Sequence, residues 1–454
     1  MKKVNAVSLD SLIAFALFLN SLRYSSLVNV FAIVLISLIY VTIHNIKNVC
    51  IKNHDIYDIN MIYLAIETSC DETAISIVET KNSATELYIH SNLVISQINI
   101  HQAYGGVFPA MAKREHSRNL VPLLIQALKE ANLEEKAKLT TNLSDIEIIL
   151  EREPELFEMF KNFLKESSIP NIDAIVVTQG PGLAPALWVG VNFARALSIV
   201  WNIPLIPVNH MEGHVSSVVL KSHLPGTENA MVNIADIQFP ILSLLISGGH
   251  TQLIVSEQWG AYDIIGDTLD DAVGEAFDKV ARMLGLPYPG GPELSRLASI
   301  GKEHERVTLP RPMLHSDNYS FSFSGLKTAC RYLIEKLSEE NLLDNDMKAS
   351  IAREFQHAVT EVLVQKTKKA LLQYHAHTLI IAGGVSANTY IRESFEHLIS
   401  NECSDVQLKV PSLELCGDNS LMIASVAVLQ EYTKTQKYIN ASDLKAIANL
   451  KISD

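Results

Sequence analysis

Residues 64–78, LAIETSCDETAISIV, consist of two apolar runs on either side of a polar turn. Apolar runs of this length bounded by turn residues are typical of buried strands, so the segment predicts strand, turn, strand. Residues 241–256, ILSLLISGGHTQLIVS, have the same organisation with few shared letters. Residues 174–200 and 378–395 each predict a strand, a glycine turn and a helix. Two similarly ordered halves indicate a duplicated α/β fold, with a mixed sheet flanked by helices in each lobe and a ligand cleft between the lobes.

The chain of 454 residues is too long for one ordinary hydrophobic core and predicts at least two domains. The predicted segments are a hydrophobic N-terminal extension (1–60), an N-terminal lobe (61–205), a C-terminal lobe (206–405) and a return segment that completes the N-terminal lobe (406–454). Residues 133–170 look like an acidic helical insertion, because apolar residues recur there at helical spacing and Pro154 suits a helix start.

Composition restricts the class of protein. A hydrophobic content of 48% with 19% charged residues describes a folded chain. The net charge of −13 argues against a general polyanion binder, although local basic patches would still allow a nucleic-acid substrate. The five cysteines show no CxxC spacing, which fits a reducing compartment and a cytoplasmic protein.

The run YSSLVNVFAIVLISLIYVTI at residues 24–43 carries no formal charge. Twenty helical residues span about 30 Å, the thickness of a bilayer core, so the run predicts a membrane anchor and a membrane-tethered location as the alternative to the cytoplasm. It is too long for a signal peptide and no small-residue cleavage site follows it. The other interpretation is that the natural start is Met61, since every chemical motif lies after it.

The motif VNHMEGHVSSVV places His210 and His214 one helical turn apart, and Asp418 lies far downstream in LCGDNS. Residues at i and i+4 share a helical face, and imidazole with carboxylate ligands suits iron or zinc. An HxxxH pair alone is more often a surface or core feature. A metallopeptidase is one rival, but Glu212 would point about 200° away from His210 on an ideal helix.

Four glycine turns recur, at residues 180–182, 247–249, 289–291 and 383–384. Glycine lets the backbone approach a ligand, and successive amide N–H groups bind anionic oxygens, so the turns predict a nucleotide site. None matches a P-loop or a GxGxxG motif. Asp278 lies among apolar residues, where a carboxylate can accept hydrogen bonds from ribose or substrate hydroxyls. Asn388 would read a ribose or base edge, or cap a helix.

Ten ordered motifs between residues 61 and 428 resemble the tRNA N6-adenosine threonylcarbamoyltransferase family, of the bacterial type. They are IETSCDET, YGGVFP, TQGPGL, NHMEGH, LLISGGHTQL, DDAVGEAFDK, YPGGP, FSFSGLKT, AGGVSAN and GDN. The resemblance implies the duplicated fold of actin, sugar kinases and heat-shock ATPases. It also implies transfer of a threonylcarbamoyl group from threonylcarbamoyl-AMP to N6 of adenosine-37 in tRNAs that read codons beginning with A.

The resemblance assigns roles by motif. One divalent metal per subunit, most simply Fe²⁺, would be held by His210, His214 and Asp418. The adenylate would be held by Leu245, Ile246, Ser247, Gly248, Gly249, Asp278, Gly291 and Asn388. The catalytic base is left open, with Asp71 and Glu72 as candidates.

The implied partners are tRNA, threonylcarbamoyl-AMP and the synthase that makes it. Bacterial systems would add an inactive paralogue subunit and a small P-loop ATPase, and a lone mitochondrial-type enzyme would dispense with both. A membrane enters only if the leader is retained. An ATP-dependent small-molecule kinase of the same fold is the second rival, because the Ser247–Gly249 turn would serve it equally well.

Overall fold

In the computed structural model the described residues are 60–82, 84–134, 143–220, 229–231, 234 and 236–454, with the backbone alone described for 229–231. The apolar run at residues 24–43 lies outside them. Among the described residues, the helix Ala184–Trp201 has the length and apolar composition of a membrane span, but 72% of it is buried inside the protein. It packs beneath a sheet and is a core helix.

The first lobe contains a six-stranded mixed sheet. Its strands are β1 (Ile62–Glu67), β2 (Glu72–Lys81), β3 (Glu86–Ser96), β4 (Ala174–Gly180), β5 (Leu205–Asn209) and β6 (Asn229–Met231). Their spatial order is β5-β4-β1-β2-β3-β6. β1 is antiparallel to β2 and parallel to β4, so the polar turn between β1 and β2 lies where the sequence predicts it.

The second lobe repeats this arrangement in a five-stranded sheet. Its strands are β7 (Ile241–Ile246), β8 (Thr251–Gln258), β9 (Ala261–Asp267), β10 (Thr378–Ala382) and β11 (Gln407–Lys409). The spatial order β11-β10-β7-β8-β9 matches the order β5-β4-β1-β2-β3 of the first sheet strand for strand. In both sheets an antiparallel meander is followed by two parallel strands. The predicted duplicated α/β fold is confirmed.

Thirteen α-helices lie in the described part of the chain. They are α1 (Ile98–Gln102), α2 (Pro109–Glu130), α3 (Ser144–Ile149), α4 (Pro154–Leu164), α5 (Ala184–Trp201), α6 (His210–Ser216), α7 (Val273–Met283), α8 (Gly290–Ile300), α9 (Ser324–Glu339), α10 (Asn345–Tyr374), α11 (Thr389–Glu402), α12 (Leu413–Cys416) and α13 (Ser420–Thr433). One apolar core lies on the outer side of each sheet. A third core joins the two sheets through α6 and α13.

The insertion forms helices where its apolar spacing predicts them. α4 begins at Pro154, and its residues Phe160 and Leu164 are buried together with Ile146 of α3. These side chains belong to the same core as α2, α5 and the six-stranded sheet. The insertion is therefore anchored in the first lobe by an apolar face. The acidic residues of α3 and α4 are exposed, whereas Glu153, just before α4, is buried and lies 2.9 Å from the ammonium group of Lys113.

Sheet membership differs from the predicted lobe boundaries at two points. The predicted boundary after residue 205 falls inside β5, which pairs with β4 in the first sheet, and β6 also pairs in that sheet. The boundary after residue 405 precedes β11, which pairs with β10 in the second sheet. The chain returns to the first lobe only after β11, through α13 and a backbone bridge between Leu205 and Ile439. Short strands of three to five residues leave too little pattern for the sequence to assign them to a sheet.

A buried histidine ties α2 to the turn between β1 and β2. Nε2 of His116 lies 3.0 Å from the carbonyl oxygen of Cys70, which can only accept, so Nε2 carries the proton. Nδ1 then accepts a hydrogen bond from Thr73 Oγ1 at 2.8 Å. The side chain has no exposed surface, and burial lowers the pKa of His116 to about 4.

This burial predicts a loss of stability in mild acid. The unfolded chain takes up a proton at His116 below its ordinary pKa of about 6.5, whereas the folded chain does so only near pH 4. The free energy of unfolding should therefore fall by up to about 3 kcal/mol as the pH drops through this window. We expect His116→Gln to flatten this part of the curve in denaturant titrations from pH 7 to pH 4.

The exposed His397 on α11 provides the matched control, His397→Gln, which should keep the wild-type dependence. A His116→Gln curve parallel to that of the wild type would contradict this account of the buried imidazole.

Candidate metal site and nucleotide cleft

Helix α6 carries both histidines of the predicted metal site. The side chain of Asn209 caps its first turn by accepting hydrogen bonds from the backbone N–H groups of Met211 at 2.9 Å and Glu212 at 3.4 Å. His210 and His214 lie on one face, with ring centroids 4.8 Å apart. Their exposed fractions are 7% and 1%, so both imidazoles are removed from bulk water.

Close packing of α13 on α6 brings the third predicted ligand to this pair. A Cβ on Gly213 would lie 3.0 Å from Cδ1 of Ile423, so glycine permits the approach of the two helices. Oγ of Ser216 and Oγ of Ser425 are hydrogen-bonded at 2.6 Å across the same contact. The loop before α13, which contains Asp418, is thereby held against the histidine face.

The three predicted ligands meet. Oδ1 of Asp418 lies 3.4 Å from Nε2 of His210 and 3.2 Å from Nε2 of His214. One ligand atom from each residue falls within 4.8 Å of the others. Two imidazoles and a carboxylate at this separation match the donor set of iron and zinc sites with open positions.

The electrostatics of the site favour positive charge. Burial by itself would raise the pKa of Asp418, but the imidazoles of His210 and His214 hold it well below its usual range. Burial would likewise lower the pKa of His210, yet the carboxylates of Asp418 and Glu67 raise it to about 9. A proton or a metal cation at this position is therefore stabilised by the same two carboxylates.

The residues present fit a metal ion. Both ring nitrogens of His214 are buried, and neither has an aligned hydrogen-bond partner among the described residues. Its Nε2 is close to Asp418 but not oriented as a hydrogen bond would require. Unpaired buried polar atoms are costly, and coordination of a cation would satisfy Nε2.

Glu67, at the end of β1, supports the site and was missed from the sequence. Its side chain is completely buried, and Oε2 lies 3.2 Å from Nδ1 of His210. Oε2 also accepts a hydrogen bond from Thr178 Oγ1 at 2.5 Å, and Oε1 accepts one from the backbone N–H of Ser69. A carboxylate on the second nitrogen fixes the tautomer and orientation of a metal-binding imidazole. The available signal was an acidic residue at the end of an otherwise apolar strand.

A cleft of about 690 Å³ opens beside His210 and is lined by both lobes. It brings together most of the predicted site residues: Asp71, Glu72, His210, Ser247, Gly248, Gly249, Asp278 and Asp418. His214 lies behind His210 and does not line it. A second cavity of about 420 Å³ adjoins it and shares Gly248, Asp278 and Gly384. The smaller cavity also contains Phe277, Gly291 and Asn388, and its lining is mostly apolar.

The junction of the two cavities is made of bare glycine backbone. A Cβ added at Gly248, Gly249 or Gly384 would meet no described atom within 4 Å, so these turns present open backbone to the cleft. Gly274 has the opposite role, because its Cβ would lie 2.7 Å from the carbonyl oxygen of Ser247. It allows α7 to start directly against the turn. This geometry fits the predicted cradle for an anionic group.

The side chains of Leu245 and Ile246, two residues predicted to hold the adenylate, point into the apolar cores. Both side chains are fully buried within β7, and they belong to the two cores on opposite faces of the sheet. Neither residue lines the described cavities. They position the Ser247–Gly249 turn, which lines the larger cavity.

The two carboxylate oxygens of Asp278 differ in their hydrogen bonding to the protein. Oδ1 accepts hydrogen bonds from the backbone N–H groups of Gly290 at 2.8 Å and Gly291 at 3.0 Å, which caps α8. No hydrogen bond reaches Oδ2 from the described residues. Burial raises the pKa of Asp278, and the two backbone donors oppose this effect. The free oxygen is the one available to ligand hydroxyls in either cavity.

Asn388 is a helix cap. Its Oδ1 accepts a hydrogen bond from the backbone N–H of Ile391 at 3.1 Å, at the start of α11. Nδ2 donates to Ser295 Oγ at 2.8 Å and to Gln356 Oε1 at 3.0 Å. Because both amide hydrogens are engaged, Asn388 contributes a fixed wall to the smaller cavity rather than a free donor. Of the two interpretations of this residue, the structure favours the cap.

Asp71 and Glu72 enter the cleft from the turn between β1 and β2. Oε1 of Glu72 accepts a hydrogen bond from Ser96 Oγ at 3.3 Å. Burial and the negative charges of Asp71 and Asp418 raise the pKa of Glu72 well above its usual range. Glu212, the residue that a metallopeptidase would need, instead accepts a hydrogen bond from Tyr262 and does not line the cleft.

Comparison with known proteins finds relatives along most of the chain. The model of the family described as tRNA N6-adenosine threonylcarbamoyltransferase matches residues 88–140 and 153–425. A protein of that name from Chromobacterium violaceum is 41% identical over 371 residues, which cover 82% of this chain and 93% of the relative. Another from Thermosipho africanus is 40% identical over 394 residues, which cover 86% of this chain and 100% of the relative. The relative from Neisseria gonorrhoeae is 38% identical over 377 residues, which cover 80% of this chain and 92% of the relative.

The matched segments include every residue of the metal and glycine-turn sites except Glu67, Asp71 and Glu72, which precede them. With this extent of similarity, the chain belongs to the tRNA N6-adenosine threonylcarbamoyltransferase family.

Proposed function

We propose that this protein transfers the threonylcarbamoyl group from threonylcarbamoyl-AMP to N6 of adenosine-37 in tRNAs that read codons beginning with A. The observation that carries the proposal is the junction of the two cavities. There, open glycine backbone lies between an apolar cavity of nucleoside size and the His210–His214–Asp418 cluster. A donor that joins a nucleotide to a reactive acyl group needs a nucleotide-binding cavity directly beside the place where the acyl group reacts.

The chain binds the donor through surfaces already formed. The adenosine fits the smaller cavity, against Phe277 and within reach of Oδ2 of Asp278. The phosphate lies at Gly248 and Gly384, where backbone amides can approach it closely. The threonylcarbamoyl group then extends into the larger cavity beside His210.

A single divalent cation per subunit, Fe²⁺ in our proposal, is held by His210, His214 and Asp418. Imidazole and carboxylate ligands suit iron, and the three protein ligands leave coordination positions open. When bound, it supplies Lewis-acid stabilisation of the charge that develops on the donor. Glu67 orients His210 for this purpose through the contact with Nδ1.

The transfer forms one bond and breaks another. N6 of the adenosine attacks the carbamoyl carbon, a C–N bond forms, and the bond from that carbon to the phosphate oxygen breaks. AMP leaves with the bridging oxygen. The proton lost from N6 goes to a cleft carboxylate, and Glu72 is the better acceptor because its raised pKa makes it a stronger base than an ordinary glutamate. Positioning supplies much of the rate, because an exocyclic amine is a weak nucleophile.

We also propose the partners of this protein and its location in the cell. A synthase must supply threonylcarbamoyl-AMP, and an inactive paralogue with a small P-loop ATPase would complete a bacterial-type assembly in the cytoplasm. Family resemblance supports these partners, and the scattered cysteines support a reducing compartment. A membrane would be involved only through residues 24–43.

Reconstitution tests the function directly. Full-length protein, the synthase, the partner subunits, tRNA, ATP, bicarbonate and labelled threonine should yield labelled threonylcarbamoyladenosine in digested tRNA. His214→Ala should bind less than about a tenth of the wild-type metal and lose most of the product, because one of three ligands is gone. Metal content and product are measured on the same preparations.

His397→Gln, on the exposed face of α11, is the control and should keep both metal and activity. Normal metal content in His214→Ala would reject the proposed ligand set. Absence of labelled tRNA with the wild type would reject the proposed transfer.

Glu72→Gln separates the two candidate bases. A base acts only when deprotonated, so the rate should rise with pH as Glu72 loses its proton, at a pH above the range of an ordinary glutamate. We expect Glu72→Gln to lower kcat by about 10²- to 10⁴-fold and to abolish this rise. Asp71→Asn should keep the rise and shift it to lower pH, because the charge of Asp71 helps to raise the pKa of Glu72.

The measurement is kcat against pH with saturating donor and tRNA. A Glu72→Gln enzyme with the wild-type rate and pH profile would remove Glu72 from the chemistry.

A further inference from the structure

The larger cavity is rich in negative charge. The carboxylates that line it are Asp71, Glu72, Glu275, Asp278 and Asp418. Apart from its histidines, the cations among its lining residues are Lys279 and Arg282. The proposed donor has two separate anionic groups, a phosphate and the carboxylate of threonine, and it must bind in this negatively charged cavity. Each anion therefore requires a specific positive partner or a set of hydrogen-bond donors.

Lys279 is already engaged. Its ammonium group lies 2.9 Å from Oδ1 of Asp271 and 2.7 Å from Oε1 of Glu275. Asp271, just before α7, also pairs with Lys327 of α9 at 2.6 Å, so these charges form a network that joins the two helices. Lys279 therefore has little capacity left for a ligand.

Unlike Lys279, Arg282 forms no ion pair with a carboxylate among the described residues. It lies one helical turn after Asp278 on α7 and is exposed in the cleft. Within the part of the chain that the structure describes, its guanidinium forms no hydrogen bond or ion pair. Burial raises the pKa of Asp278 and the positive charge of Arg282 lowers it, but no hydrogen bond from the described residues occupies the guanidinium. A guanidinium offers five donors in a planar fork that matches a carboxylate.

The guanidinium also reaches across the cleft. Nη1 lies 3.8 Å from the position that a Cβ on Gly105 would occupy. Gly105 and Gly106 form the turn before α2, on the first lobe, and both line the cavity. Arg282 thus lines the larger cavity, next to Gly105 of the first lobe, and does not line the smaller cavity proposed for the adenosine.

We infer that Arg282 binds the free carboxylate of the threonine part of the donor and selects acyl groups that carry this carboxylate. The inference rests on the proposed function, because it assigns a binding partner to one group of the proposed donor. The phosphate has the backbone amides at Gly248 and Gly384. The carboxylate has Arg282, whose planar fork can make two parallel charge-assisted hydrogen bonds to it.

Two donors test this assignment: threonylcarbamoyl-AMP and its carboxamide analogue, in which the threonine carboxylate is a neutral amide. In the complete reconstituted system, kcat/KM of the wild type should be about 10- to 100-fold higher for the native donor. Arg282→Gln should lose about that factor with the native donor and almost nothing with the carboxamide. Arg282→Lys should recover only part of the preference, because a point charge cannot make the bidentate contact.

Arg296 on α8 provides the control, because Arg296→Gln removes an exposed arginine that pairs with Glu293 outside both cavities. It should keep the wild-type preference. Calorimetric titration of each donor without tRNA measures the same preference as a ratio of Kd values. This arm separates the two proposals, since selective binding without transfer to tRNA would reject the proposed function and leave the role of Arg282 intact.

Two results would overturn the inference. Equal losses with both donors in Arg282→Gln would place the guanidinium on the phosphate or on the protein itself. A raised KM for tRNA with an unchanged donor preference would place it on the tRNA backbone.

Discussion

The attraction between one carboxylate and two imidazoles, buried between two lobes, is the constraint on which the rest of the structure depends. Asp418 and the histidine pair are more than 200 positions apart in the chain. The histidines lie on α6, and Asp418 lies in the loop that precedes α13. Helices α6 and α13 each begin with an asparagine cap, and they pack closely through Gly213. Buried charge of this kind is tolerated only when it is compensated, and here compensation comes from opposite charge, from Glu67 and from an available cation.

Duplication explains why a metal site and a phosphate cradle face the same space. The turn between β1 and β2 and the turn between β7 and β8 occupy equivalent positions in the two sheets, and both line the larger cavity. The first turn carries Asp71 and Glu72, whereas the second carries Gly248 and Gly249. One supersecondary unit, used twice, thus supplies carboxylates from one side and open backbone from the other.

Much of this arrangement could be predicted from the sequence, because repeats and motifs are local in the chain. The strand–turn–strand repeat predicted the two sheets, and HxxxH spacing placed two imidazoles on one face. Convergence of Asp418 came only from the family resemblance, since no local pattern brings it to α6. Glu67 was missed because its importance depends on a contact with His210 across 143 positions. Asn388, Leu245 and Ile246 share motifs with ligand-binding residues, but only packing shows that they cap a helix or fill a sheet.

X-ray absorption spectroscopy of the purified full-length protein, loaded with one equivalent of Fe²⁺ under anaerobic conditions, identifies the ligands of the metal site. We expect a single class of iron with two imidazole nitrogens and a carboxylate oxygen from the protein, and loss of the imidazole scattering in a His210→Ala/His214→Ala double variant. A spectrum of iron ligated only by water and carboxylates, or one unchanged in the double variant, would contradict this ligand set.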